Sequence, residues 1–228
     1  MNPSSGTDPA AAQRIVSDAR RRREQTAAPR CACYAAWSEL LASPHDIDVP
    51  AALRQRQGIA ASLDYAAALD RLIGACLAAG PAQLKREYSG LFEIGNDGPP
   101  VPIREDLQTG QRAGTREDLV RFYDYFGYTL GDGFAWQPDH LSVELEFMHY
   151  LCYREAAAAA DPQSYQLAQA DFTDRHLLNW VPRLATTVRR IASRSLYADI
   201  VAGLAEFLEA DRDWQAASIE PAGAGIPD

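Results

Sequence analysis

Apolar residues recur every three or four positions along almost the whole of this chain, and that spacing restricts it to helices. Tyr34, Trp37, Leu40 and Leu41 share one helical face, which Ser43-Pro44 brings to a stop. Leu63, Ala66, Leu69, Leu72, Ile73, Cys76 and Leu77 form a second stripe, ended by Gly80. Pro81 suits the first turn of a new helix, because its missing N–H has no intrahelical partner there in any case; Leu84, Tyr88, Leu91 and Phe92 line the inner side. Leu119, Phe122, Tyr123 and Phe126 make another stripe, opened by Thr115-Arg116-Glu117-Asp118, a capping box with Asp in place of Glu, and closed at Gly127.

Helices are expected from Pro138 through the Ala156–Ala160 run to Asp161-Pro162, and then over about 163–180, 182–194 and 196–212. No segment alternates apolar and polar residues for a useful length, and no repeat of fixed period occurs. The fold class is all-α: a single helical domain, or two helical subdomains joined by a long hinge loop. Residues 1–29 read as a mobile or weakly helical leader, 30–213 as the helical domain, and 214–228 as a disordered tail rich in Ala, Gly and Pro. The helical pattern breaks at Gly95-Asn96-Asp97-Gly98-Pro99-Pro100-Val101-Pro102, and the loop is expected to span about 95–114. Loops of that length inside a domain are commonly functional.

With 22 basic and 31 acidic residues the net charge is −9, which argues against nucleic acid or an anionic membrane as partner. It suits a cationic peptide, since opposite potentials speed encounter and select orientation. Cys31, Cys33, Cys76 and Cys152 are too few and too scattered for a disulfide framework, and read as buried free thiols in a reducing compartment. No run of about eighteen apolar residues is present, so no membrane insertion is expected. Arg20-Arg21-Arg22-Arg23 invites comparison with a twin-arginine export signal, but the polar Glu24-Gln25-Thr26 follows instead of an apolar stretch. A cytoplasmic location is expected.

Pro138-Asp139-His140-Leu141 opens a helix with a titratable corner: Asp139 is placed to cap the first turn, or to present a carboxylate at a groove. His140 and Glu144, four apart, share a face, whereas His140 and His149 lie on opposite sides of the helix. Two convergent ligands do not complete a metal site, so none is assigned, and no cofactor is called for. Nucleophile elbow, P-loop, dinucleotide fingerprint and H-E-x-x-H motif are all missing, so no catalytic role is expected.

Three segments in order, Glu87-Tyr88-Ser89-Gly90-Leu91-Phe92, Pro138-Asp139-His140-Leu141 and Phe172-Thr173-Asp174-Arg175-His176-Leu177-Leu178-Asn179-Trp180, resemble the TorD/DmsD-type chaperones that mature molybdenum enzymes, over roughly residues 31–210. The Pro99–Glu105 stretch departs from members that carry a Trp there, and with the Phe92–Pro100 run it looks nearest to the branch serving dimethylsulfide, ethylbenzene or selenate oxidoreductases. The resemblance implies a cytoplasmic, non-enzymatic chaperone. Its partner would be a molybdoenzyme catalytic subunit, held through its twin-arginine leader peptide and as apo-protein, with cofactor insertion assisted and export delayed. Carried over residue by residue, it implicates Tyr88, Leu91, Phe92, Pro100, Pro102, Asp139, His140 and Glu144 in peptide binding. Monomer and domain-swapped dimer are both compatible with the long loop. Burying about four apolar leader side chains is worth roughly 6–12 kcal/mol gross, against about 4–15 kcal/mol for association and ordering, so acidic contacts to the arginines would decide the outcome, at near-micromolar affinity. The alternatives are a small helical metal-binding protein or enzyme using His140 and Glu144, and a structural helical adaptor.

Overall fold

The apolar stripes become nine α-helices among the described residues, with no strand between them, in a computed structural model that describes residues 23–59, 63–95, 98–110, 114–131, 137–157 and 162–218. The helices are α1 (Arg23–Leu41), α2 (Val49–Arg54), α3 (Ala67–Tyr88), α4 (Glu105–Gln108), α5 (Thr115–Phe126), α6 (Leu141–Ala157), α7 (Pro162–Phe172), α8 (Val181–Ile191) and α9 (Leu196–Ser218). Two π turns, Ser89–Glu93 and Thr173–Leu177, extend α3 and α7. The arginine cluster up to Arg22, residues 132–136, the Ala158–Asp161 end of the alanine run and the residues beyond Ser218 lie outside the described residues.

Packing explains where the elements start and stop. α1 passes through Pro29, with Ala27 and Arg30 already buried. It lies along α6, while α9 packs on α8 and α3. Trp37, Tyr34 and Tyr65 close on Phe207 of α9 with ring centroids 5.2–5.8 Å apart. A second aromatic nest joins α5, α6 and α7 through Tyr123, Phe147 and Phe172. Gly80, at φ 76° and ψ 167°, breaks α3 immediately before Pro81, as the sequence indicated; an L side chain would be strained there.

Three local expectations change. The Thr115 capping box does not form, since Gly114 at φ 100° occupies the cap and Thr115 is already helical. The long loop is not uniformly irregular, because Glu105–Gln108 makes one helical turn pinned by its own neighbours. The helix expected from Pro138 starts at Leu141, for reasons that belong to the site.

Candidate functional site

The segments singled out in the sequence meet at the end of α3 and the start of α6. In the Ser89–Glu93 turn, Ile94 N–H reaches back five residues to Ser89 O at 2.8 Å, and this wider coil buries both Leu91 and Phe92. The loop then returns against the body: Val101 N–H donates to Leu91 O at 2.9 Å, Glu105 N–H to Asp139 O at 2.9 Å, and Leu141 N–H to Ile103 O at 3.2 Å. Residues 103–105 are thus stitched antiparallel to 139–141, with Arg104 paired to His140.

His140, not Asp139, caps α6. Its backbone carbonyl accepts from Val143 and Glu144, and its Nδ1 accepts from the Ser142 N–H at 3.2 Å and the Ser142 hydroxyl at 2.8 Å. With Nδ1 accepting, the ring proton sits on Nε2 and is donated to the Tyr88 hydroxyl at 3.2 Å, which in turn donates to Leu41 O at 3.4 Å. Burial, partly opposed by Asp139, lowers the His140 pKa to about 4, so the neutral ring this relay needs is the stable one.

Asp139 is turned inward. It is fully buried and held by Arg104 through contacts of 3.0–3.3 Å, with Arg116 at 3.5 Å. Glu144 is equally buried and accepts from Trp180 Nε1 at 3.3 Å. Burial, with Glu105 and Asp139 nearby, raises its pKa well above the ordinary carboxylate range. His176 Nδ1 lies 3.0 Å from Glu105, whose pKa is raised by burial against the opposing pull of His176. The Asp, the second Glu, the His and the Trp of the sequence motifs therefore tie α4, α6 and the α7–α8 junction together. His140 and Glu144 have different partners, and no group of three or more metal-ligating side chains exists among the described residues.

Beside this framework opens a cavity of about 940 Å³. Tyr88, Phe92, Pro102 and His140 line it; Leu91, Pro100, Asp139 and Glu144 do not. Ile47, Ile103 and Leu107 add apolar wall, and Ser43, His45, Asp46, Glu93 and Arg104 add polar groups. The volume suits several peptide side chains. Tyr88 stacks edge-on with Phe92 at 5.0 Å and Tyr197 at 5.5 Å, so the aromatic floor is braced from behind by α9.

The family model described as the nitrate reductase delta subunit matches residues 57–186, a stretch that carries the α3, loop and α6 walls of this cavity. The chain belongs to that family. Within it, the chain is 36% identical over 134 residues to the selenate reductase assembly chaperone protein of Thauera selenatis, covering 57% of this chain and 68% of that one. It is 35% identical over 140 residues to the chlorate reductase assembly chaperone protein of Ideonella dechloratans (59% and 72%). It is 33% identical over 132 residues to the dimethyl sulfide dehydrogenase assembly chaperone protein of Rhodovulum sulfidophilum (53% of each). No solved structure matches. These relatives are named as assembly chaperones, not as catalysts. Among the described residues no helix is long and apolar enough to cross a membrane.

Sequence reasoning missed one buried network and half of the cavity's polar rim. Arg30 is fully buried and grips Asp211 through bonds of 2.7 and 2.8 Å, with Gln169 at 2.6 Å. Tyr34, Tyr65 and Gln215 also donate to Asp211. The signal was present: Arg30 precedes Tyr34, Trp37 and Leu41 at helical spacing, and Asp211 continues Leu204 and Leu208, so each occupies a core register. Ser43, His45 and Asp46 sit in a turn between helices, where periodicity carries no information about what they face.

Proposed function

We propose that this chain is a cytoplasmic maturation chaperone for the catalytic subunit of a molybdopterin-dependent oxidoreductase. It binds that subunit's twin-arginine leader and apo-form, favours cofactor insertion and delays export. The observation that carries this reading is the 940 Å³ cavity, walled by Tyr88, Phe92, Pro102 and His140 from three separate sequence segments. Its mixed lining fits a peptide with apolar side chains beside a basic end. Leu91, Pro100, Asp139 and Glu144 serve by shaping the wall: Leu91 anchors the returning loop, and the Asp139 and Glu144 bonds fix the start of α6. Family membership and relatives named as assembly chaperones support the role.

The test is co-expression with a candidate catalytic subunit, followed by measurement of molybdenum per purified polypeptide. Loading should fall when the chaperone is omitted, and fall again when Phe92→Asp puts a charge on the cavity wall. Equal metal content in all three preparations would remove the proposal.

A further inference from the structure

Six large apolar side chains stand exposed among the described residues, and three of them, Val120, Tyr125 and Leu167, belong to α5 and α7. Tyr125 is the most open, at 83%. Between these two helices runs a groove of about 460 Å³ that shares no lining residue with the main cavity. Phe122, Phe126, Leu167 and Ala168 supply most of its apolar lining. Phe126 is braced by Tyr125 at 4.8 Å and by Tyr165 at 5.9 Å, so the groove is preformed. Exposed apolar patches of this kind mark interaction surfaces.

The chain itself supplies a segment that fits. α1 runs antiparallel to α6, with Ser38 on Ser142, Cys31 beside His149 and Arg30 3.6 Å from Glu155. Its first described residue, Arg23, therefore lies at the end of α6 from which the chain turns into α7, and the groove reaches that end at Ser164. Residues 1–22 precede it, with four arginines against two aspartates. Within them Ile15-Val16 is the one pair of large apolar neighbours, and Arg20-Arg21-Arg22 follow. Extended, the chain from Val16 to Arg23 spans about 23 Å, twice the width of a helix, so the pair can pass α7 and reach the groove. The surroundings of the groove carry the opposite sign. Asp118 and Asp171 share the Arg175 guanidinium, which lies 5.1 Å over the Phe122 ring. Glu117 and Asp124 are exposed on α5 with Arg121 as the cation beside them.

We infer that residues 1–22 dock onto the body of the same chain, with Ile15 and Val16 in the groove between α5 and α7 and their arginines against the carboxylates around it. This is independent of what the main cavity binds. The tether keeps the segment at high effective concentration, so two apolar anchors suffice where a free peptide would need more. A second copy is a poorer occupant, since each carries a net charge of −9 and the same acidic surroundings. While docked, the segment closes this apolar surface to other chains.

The experiment is hydroxyl-radical footprinting of the full-length protein, which reads the solvent exposure of individual side chains. Tyr125 and Leu167 are followed, with Tyr153 of α6, 57% exposed and outside the groove, as internal standard. Ile15→Asp combined with Val16→Asp should raise oxidation of both groove residues about three- to fivefold while Tyr153 stays constant. Replacing Arg20, Arg21 and Arg22 together by Gln should raise it about twofold, because exposed charge pairs add less than apolar burial. Leu167→Asp, made on the groove side, should free Tyr125 as fully as the Ile15 and Val16 changes do. Equal oxidation of Tyr125 and Leu167 in the wild type and in the Ile15→Asp, Val16→Asp variant overturns the inference. Protection that survives in that variant and grows with protein concentration also overturns it, and gives the groove to a second copy.

Discussion

Replacing Asp211 by Asn should be among the most damaging single-atom changes available to this fold. The substitution keeps size and shape but removes the charge facing Arg30, a guanidinium with no exposed surface. Asp211 receives two bonds from Arg30, one each from Tyr34 and Tyr65, and one from Gln215, and Asn cannot satisfy all of these donors. Breaking one side of a buried pair typically costs about 3–5 kcal/mol, and the carboxylate left to Arg30, Glu155, stands 3.6 Å away and does not replace the two bonds lost. The pKa gives a second, independent scale: burial alone would raise it, but Arg30 and the tyrosine hydroxyls lower it from 3.8 to about 2. That lowering is worth roughly 2–3 kcal/mol. A carboxylate with a depressed folded pKa stabilises fully above its unfolded value and loses that stabilisation as the pH falls through the folded one. The gap between wild type and D211N should therefore be about 3–5 kcal/mol in urea denaturation at pH 7 and narrow between about pH 4 and 2. Asp199→Asn is the control. Its pair with Arg189 has a similar 2.9 Å separation but is about half exposed on both sides, so its loss should stay under about 1 kcal/mol. A D211N loss no larger than that of D199N would refute the reasoning that burial decides the value of the pair.

Other consequences can be measured alongside. Glu144 has a raised folded pKa, so it stabilises below its ordinary value and costs stability as the pH rises; Glu144→Gln, which keeps an acceptor for Trp180, should raise the urea midpoint at pH 8 and change it little at pH 4, and an unaltered pH slope would count against the neutral form. His140, lowered to about 4, works in the opposite sense: its contribution is complete above about pH 6.5 and drains away toward pH 4, a trend that His140→Gln should flatten in the same titration. A Cβ at Gly74 would meet nothing within 4 Å, so Gly74→Ala should stabilise α3 by about 1 kcal/mol in thermal melts. At Gly203 a Cβ would come within 2.9 Å of Leu72 and 3.4 Å of Trp37, so Gly203→Val should cost about 1–3 kcal/mol, and a neutral result would mean that Leu72 moves aside.

The helices were legible because burial of a stripe leaves a period in the sequence, as in Leu69, Leu72, Ile73 and Cys76, all buried where the pattern put them. Gly80-Pro81 was legible because both residues act through their own backbone. The start of α6 was misplaced by three residues because Pro138 and Asp139 are good openers in isolation, yet the loop segment 103–105 takes the Asp139 carbonyl and leaves capping to His140. Motif membership also did not separate residues that face the cavity from residues that hold its wall. Tyr88 and Phe92 do the first and Asp139 and Glu144 the second, a distinction set by partners far away in sequence.

The clasp between Arg30 and Asp211 joins residues 181 positions apart, in the first and last helices described. Until the ribosome has released residue 211, the guanidinium on α1 has only the Glu155 carboxylate of α6, 3.6 Å away, and lacks the paired 2.7 and 2.8 Å bonds that Asp211 supplies. Completion of this core thus waits on α9, and fragments cut short before it should resemble a loosened, hydration-prone ensemble and be degraded ahead of the finished protein.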